Sequence, residues 1–213
     1  MAALTSTWFL VVPVKDRMLS KSRLQPPEGV ARAELAHAMA LDTLEVVLQV
    51  VPAAQVVVVT ADDRVGLVMR ERGTVVLPDP GRGLNPAIEA GLAWVTTNAP
   101  GRAGAVLLAD LPTLTPEVLY AGLRACAAAE SAVVPDSSGL GTVLLAHHDA
   151  ARLRPSFGPG SAARHARRAT VLDLDLPQLR HDVDDLPGLR AAYRMGFGRH
   201  TAAVLGIDGE EAS

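Results

Sequence analysis

The chain has 213 residues, 49% hydrophobic and 20% charged, a balance that argues against disorder and suits one sizeable soluble domain with its own core. A net charge of −3 and an aromatic content of 3% argue against a nucleic-acid binder, which needs a basic footprint and stacking platforms. A single cysteine, Cys126, excludes an internal disulfide and a cysteine-rich zinc site.

The opening, MAALTSTWFLVVPVK, has no basic n-region and runs straight into a strand-like segment. No apolar stretch approaches the ~20 residues of a membrane span, so a cytoplasmic protein is expected. Short apolar runs then alternate with longer helical patterns, as in βα units around a mostly parallel sheet. Trp8–Val14, Gln55–Thr60, Thr74–Leu77, Ala103–Ala109 and Ala132–Val134 read as strands. Each is nearly continuous in apolar residues, as expected where helices cover both faces. Helices are predicted at about Val30–Val50, Arg64–Glu71, Pro86–Asn98 and Pro116–Ala129. Asn85 before Pro86 and Thr115 before Pro116 read as N-caps followed by proline at the first helical position. Cys126 lies among the alanines of the last of these helices and reads as a buried, inert thiol.

Gly141–Ala146 and Arg168–Leu174 read as later strands, with a short helix between them from about Ser161. Leu186–Met195 is the last clear helix, and the tail after Gly198 is expected to fray, with Thr201–Leu205 as a stretch that could cover an edge or a partner. No linker or repeat interrupts the pattern. The expected architecture is a single-domain, three-layer α/β/α fold over residues 1–213, with a core of about 7–197.

In an open parallel sheet, ligands bind beyond the carboxyl ends of the strands. The first strand leads into Lys15-Asp16-Arg17-Met18-Leu19-Ser20-Lys21-Ser22-Arg23, with four cations in nine residues. This segment is either a solvated basic loop or a polyphosphate site. No GxxxxGK[ST] or GxGxxG occurs, so a triphosphate would be held by side-chain cations and a metal.

The fourth strand ends on Asp110, where a carboxylate after an apolar run either pairs, binds metal or caps the turn before Pro112. Further on lies Asp182-Val183-Asp184-Asp185. In an extended segment residues i and i+2 share a face, so Asp182 and Asp184 can converge, while Asp184 or Asp185 can cap the helix from Leu186. Together with Asp110 they form a hard oxygen set that suits Mg²⁺ shared with phosphates rather than zinc.

Phe157-Gly158-Pro159-Gly160-Ser161 enters a helix. It reads either as an ordinary helix start or as an anion site built from backbone amides, with Ser161 adding a hydroxyl and Arg164, Arg167 and Arg168 raising the potential. Upstream, Asp136–Thr142 is a loop whose two glycines permit close backbone approach. His147 and His148 lack a third partner at ligand spacing and read as a surface pair. A G-x-S-x-G elbow is absent, which leaves hydrolase chemistry unsupported.

Assembled in order, these segments resemble the guanylyltransferases that activate a phosphorylated three-carbon acid in coenzyme F420 biosynthesis, within the MobA-like nucleotidyltransferase group. The matching pieces are Val-Pro-Val-Lys with Lys21-Ser22-Arg23-Leu24, then Leu84-Asn85-Pro86-Ala87-Ile88, then Asp110-Leu111-Pro112-Thr113-Leu114. Gly141-Thr142, Phe157–Ser161 and Asp182-Val183-Asp184 complete the set, which spans residues 8 to 197.

The resemblance implies a nucleotide-diphospho-sugar-transferase-like (GT-A/MobA-like) fold. It implies Mg²⁺ on Asp110, Asp182 and Asp184, with Lys21 joining these aspartates as catalytic. Thr142, Gly158 and Ser161 would hold the acid, Lys15, Lys21 and Arg23 would face the GTP phosphates, and Leu84 and Asn85 would contact the nucleotide. The chain departs from the family at Ala109, where glycine is common, and at Asp185, where threonine is common.

The expected reaction is transfer of GMP from GTP to phosphoenolpyruvate, with 2-phospho-L-lactate as the alternative acid. The expected partners are therefore GTP and a small phosphorylated acid, with no nucleic acid or membrane and a homodimer as the candidate assembly. The rival classes are a nucleotide-sugar glycosyltransferase, against which Leu111-Pro112 after Asp110 argues, and a non-catalytic nucleotide-binding protein.

Overall fold

The computed structural model of the chain describes residues 8–14, 24 and 26–207. The elements run β1 (Trp8–Val14), α1 (Arg32–Val50), β2 (Val56–Thr60), α2 (Asp63–Glu71), β3 (Val75–Pro78) and α3 (Leu84–Asn98). They continue with β4 (Ala103–Leu107), α4 (Pro116–Cys126), β5 (Ser131–Pro135), β6 (Thr142–His147) and α5 (Ser161–His165). Then come β7 (Thr170–Val171), α6 (Pro177–Arg180), α7 (Leu186–Met195) and α8 (Arg199–Val204). Among the described residues no helix is long and apolar enough to cross a membrane.

The strands form one mixed sheet in the order β3-β2-β1-β4-β6-β5-β7. β1 runs parallel to β2 and β4, β2 to β3, and β5 to β7. β6 alone runs antiparallel to both of its neighbours, β4 and β5. The chain builds outward from β1 through β2 to β3 and then returns to β1's other side with β4. This creates a switch point between β1 and β4, where open α/β sheets bind ligands. Because β6 is reversed, its first residue, Thr142, sits at the same sheet edge as the last residues of β4.

Both faces of the sheet are packed. Leu10, Val12 and Val14 of β1 join Leu44 of α1 and Leu119 and Leu123 of α4 in one cluster. Val11, Val57 and Val59 join Ile88, Leu92 and Val95 of α3 in another. Alternate residues of β1 thus serve opposite layers, and the continuous apolar runs follow from that. A third cluster holds Leu35 and Met39 of α1 together with Val183, Leu189 and Ala192.

Three expectations need correction. The segment Arg168–Leu174 pairs only over Thr170–Val171, and both residues are exposed. Asn85 does not cap α3, which begins at Leu84 after Gly83. Pro86, the third residue of the helix, is tolerated because first-turn amides have no acceptor within the helix. Finally, Leu186–Met195 is not the last helix. The backbone amides of His200 and Thr201 donate to the buried Asp42 carboxylate of α1 at 2.9 and 2.8 Å, and this cap fixes α8 against α1. Gly198 is required there, since a Cβ would lie 2.4 Å from Asp42 Cγ.

Candidate active site

Above the carboxyl edge of β1 and β4 lies a cavity of about 450 Å³, lined by residues from eight separate segments of the chain. Asp110, Asp182 and Asp184 form one wall. Each offers a carboxylate oxygen within 4.8 Å of the others, and they are the one group of acidic, histidine or cysteine side chains so placed among the described residues.

The local chain explains this convergence. Thr43 of α1 accepts the Leu111 N–H at 3.1 Å and lies 3.2 Å from the Ala109 carbonyl, so it clasps the turn on both sides of Asp110. The Val183 N–H donates to the Asp110 carbonyl at 3.1 Å. Val183 is fully buried in the third cluster, so its extended neighbours Asp182 and Asp184 turn the other way, toward Asp110. No regular strand forms at 182–184, yet the period-two geometry holds. Asp185 stands outside the trio and accepts the Gly188 N–H at 2.8 Å as the N-cap of α7.

This wall carries an electrostatic load. Burial first, and then the charges of Asp110, Asp184 and Asp136, push the Asp182 carboxyl up to about 7. Asp136 has its own task, because it accepts N–H bonds from Leu140 (3.1 Å) and Gly141 (2.8 Å) and so folds the 136–141 loop. Gly141 lines the cavity and packs against that carboxylate, where a Cβ would lie 2.2 Å from Asp136 Oδ2.

The opposite wall is made of Thr142, Gly158 and Ser161. Gly158 (φ 111°) and Gly160 (φ 71°) take conformations that suit glycine and curl the loop into the cavity. Helix α5 is only five residues long, and its first amides are already used: Ser161 N–H donates to Gly158 O and Ala162 N–H to Leu140 O. The polar groups facing the cavity are therefore chiefly hydroxyls, less the helix-start amides that the sequence suggests. The Ser161 hydroxyl donates to Thr142 Oγ1 at 3.1 Å, and His165 Nδ1 lies 2.9 Å from that same oxygen.

Two further side chains hold this loop. Asn85 accepts the Phe157 N–H at 2.7 Å and donates to the Phe157 carbonyl at 3.1 Å, so it is a clamp and does not line the cavity. Arg164 donates to the carbonyls of Ser156 and Pro159 at 2.8 and 2.6 Å. Its guanidinium braces the loop. Arg167 and Arg168 line a separate cavity of about 640 Å³. Leu84 lines the main cavity, whereas Lys15, Lys21 and Arg23 lie outside the described residues.

Sequence reasoning passed over Thr43, Asp136, His165 and the pair His37–Asp62, which sits 3.3 Å apart in the lining of the cavity. His165 did carry a signal, since it stands four residues after Ser161 and so shares its helix face. Thr43 carried none, being one threonine within a helical apolar pattern.

Residues 33–172 match the model of the MobA-like NTP transferase domain family. A protein named phosphoenolpyruvate guanylyltransferase from Geodermatophilus obscurus is 44% identical, over 93% of this chain and 94% of that protein. One of the same name from Streptosporangium roseum is 40% identical, over 96% and 93%. Among solved structures, a candidate nucleotide-diphospho-sugar transferase from Desulfovibrio desulfuricans G20 superposes with a TM-score of 0.62 at 14% identity, over 95% of this chain and 94% of that one. At that identity the likeness speaks for the fold alone. The fold, the strand-edge cavity and these relatives agree: the chain belongs to the MobA-like nucleotidyltransferases and, within them, to the phosphoenolpyruvate guanylyltransferase family.

Proposed function

We propose that the chain transfers GMP from GTP to phosphoenolpyruvate, giving enolpyruvoyl-2-diphospho-5'-guanosine and pyrophosphate, as a step of coenzyme F420 biosynthesis. The observation that carries this reading is the pairing, across one cavity, of a three-carboxylate wall with a hydroxyl and glycine wall. The first suits a polyphosphate bound with a cation, and the second suits a small anionic acid. The reading also treats residues 1–213 as one nucleotidyltransferase domain, because every element of the site belongs to one sheet and its helices. It implies a cytoplasmic enzyme, since GTP is a cytoplasmic nucleotide.

Asp110, Asp182 and Asp184 fit a divalent cation with hard oxygen preference: the donors are all carboxylates, and burial, then the neighbouring carboxylates, raise Asp182, which a bound cation would offset. They would hold Mg²⁺, which supplies charge neutralisation to the triphosphate. Thr142 and Ser161 receive the acceptor acid, while the Gly158 turn keeps the cavity open beside them. Leu84 packs against the nucleotide, with Lys15, Lys21 and Arg23 facing its phosphates.

In the reaction a phosphate oxygen of phosphoenolpyruvate attacks the α-phosphorus of GTP in line. The bond from the α-phosphorus to its bridging oxygen breaks, and pyrophosphate leaves with the electron pair. The attacking phosphate is already ionised near neutral pH, so no general base is required, and positioning with charge neutralisation accounts for the catalysis.

Purified protein with Mg²⁺, GTP and phosphoenolpyruvate should release pyrophosphate. Parallel reactions with 2-phospho-L-lactate and with ATP, CTP and UTP read acid and base choice. Release with phosphoenolpyruvate supports the reading, release only with 2-phospho-L-lactate reassigns the acid, and no release with either acid overturns it.

A further inference from the structure

The imidazole of His165 lies behind the substrate wall, 5% exposed, and touches both the wall and the chain that leads into the glycine loop. The main-chain N–H of Ser156 donates to Nε2 at 2.9 Å. An imidazole nitrogen that accepts a hydrogen bond carries no proton, so the ring proton must be on Nδ1. Nδ1–H then donates to Thr142 Oγ1, 2.9 Å away. Phe157 packs edge-on against the ring, with centroids 5.0 Å apart, and keeps it in that plane.

The consequence lies in counting hydroxyl protons. Thr142 and Ser161 are 3% and 1% exposed and carry two O–H groups between them. One of these makes the Ser161–Thr142 bond. With Nδ1 as a donor the other proton has no described acceptor and is left for whatever occupies the cavity. In the opposite tautomer Nδ1 would accept, Thr142 would donate to it and Ser161 to Thr142. Both protons would then point inward, and the wall would present only lone pairs, which repel a carboxylate or a phosphate. The tautomer therefore sets the sign of this wall.

We propose that the Ser156 main-chain N–H, acting through His165, fixes the tautomer that makes the Thr142–Ser161 pair a hydrogen-bond donor to the anionic acceptor substrate. His165 is thus a positioning residue for substrate choice and takes no part in the chemical step. The inference rests on the reading that Thr142 and Ser161 receive the acid.

The test begins on the unaltered protein. ¹⁵N-histidine NMR at neutral pH, with His165 assigned by the signal missing from a His165→Asn spectrum, should show Nδ1–H and a bare Nε2. An Nε2–H tautomer or an imidazolium overturns the proposal.

Kinetics then separate a directing role from a merely structural one. His165→Asn places an amide N–H where Nδ1 stood, whereas His165→Gln reaches the Nε2 position and serves Ser156 only. The Gln variant should raise KM for phosphoenolpyruvate by about tenfold or more, as for a lost hydrogen bond to a charged group. The Asn variant should stay within about threefold, and both should leave KM for GTP close to wild type. Equal effects in the two variants, or a smaller effect for Gln, overturn the proposal. Thr142→Val is the control for the underlying reading. If it leaves KM for phosphoenolpyruvate unchanged, the substrate assignment fails; if it raises that KM while Asn and Gln behave alike, only the role of His165 fails.

Discussion

At one wall of the cavity three carboxylates face one another, held in place by Val183 and Thr43, while at the other a threonine, a serine and a histidine hold one another by hydrogen bonds before any ligand arrives. The first wall stores a repulsion that a cation relieves, visible in the Asp182 carboxyl pushed up to about 7 by burial and by its acidic neighbours. The second stores almost none, because its hydrogen bonds already fix its side chains and leave one hydroxyl proton for a ligand. The two halves of the site should therefore respond oppositely to perturbation. The carboxylate wall loses function without losing stability, whereas the hydroxyl wall couples the two.

The largest effect is expected at the carboxylate wall. Asp182→Asn should lower turnover by about two to three orders of magnitude, the scale for losing one preorganised electrostatic contact. Its thermal stability without metal should equal or exceed wild type, because one of three crowded charges is gone. The rise in melting temperature that Mg²⁺ gives the wild type should disappear. Turnover like wild type's, measured by pyrophosphate release, would remove Asp182 from the metal set.

Acid titration sharpens the same contrast, because the two walls carry opposite signs. Burial, reinforced by Arg164, holds His165 down at about 4 from an ordinary 6.5. The neutral ring's contribution to stability is full above 6.5 and is lost as pH falls from there to about 4, on the order of 3 kcal/mol in all. Asp182 is raised, so its neutral form is the favoured one. Its contribution is present below the ordinary carboxylate value and is lost as pH rises through about 7. Between pH 6.5 and 4 the two oppose each other in the wild type. Unfolding measured across this range should be steeper toward acid in Asp182→Asn and flatter in His165→Asn. Identical slopes in all three proteins would break the contrast.

A smaller effect is expected from Thr142→Val. It deletes a hydroxyl from the substrate wall while keeping the shape, and KM for phosphoenolpyruvate should rise about tenfold to a hundredfold. Because Ser161 and His165 lose their common partner inside a buried cluster, the melting temperature should fall as well. A KM effect with no stability change would show that the hydroxyl wall is less self-sufficient than its hydrogen bonds indicate.

What the sequence revealed of these two walls differs for physical reasons. Buried strands announce themselves by apolar runs, and strand-end polar residues mark the ligand edge, so Asp110, Thr142 and the Asp182–Asp184 pair were legible. Strand direction was not, because a strand buried on both faces, such as Val143–Ala146, reads alike whichever way it runs. Asn85 before Pro86 carries a general capping signature, and only the fold shows that its amide reaches Phe157, 72 positions away. Helix α8 was illegible for the same reason, since its cap, Asp42, comes from the other end of the chain. Local signals report local partners, and Asn85 and the α8 cap have theirs far along the sequence.

The smallest expected effect is the one that decides where the carboxylate wall ends. Asp185 directly follows Asp184, and a fourth carboxylate beside the trio would suit a larger cation site. Its side chain is instead occupied by the Gly188 N–H at 2.8 Å, at the start of a helix whose Leu189 and Ala192 pack beside Val183. Asp185→Ala should therefore cost about 1 kcal/mol of stability, the usual worth of an N-cap, with most of it recovered in Asp185→Ser. Mg²⁺ affinity should change little, because Val183, which fixes the direction of Asp182 and Asp184, stays in the core. A loss of turnover comparable to that of Asp182→Asn, unrepaired by serine, would instead extend the metal set to Asp185. The helix start would then be a ligand-dependent element.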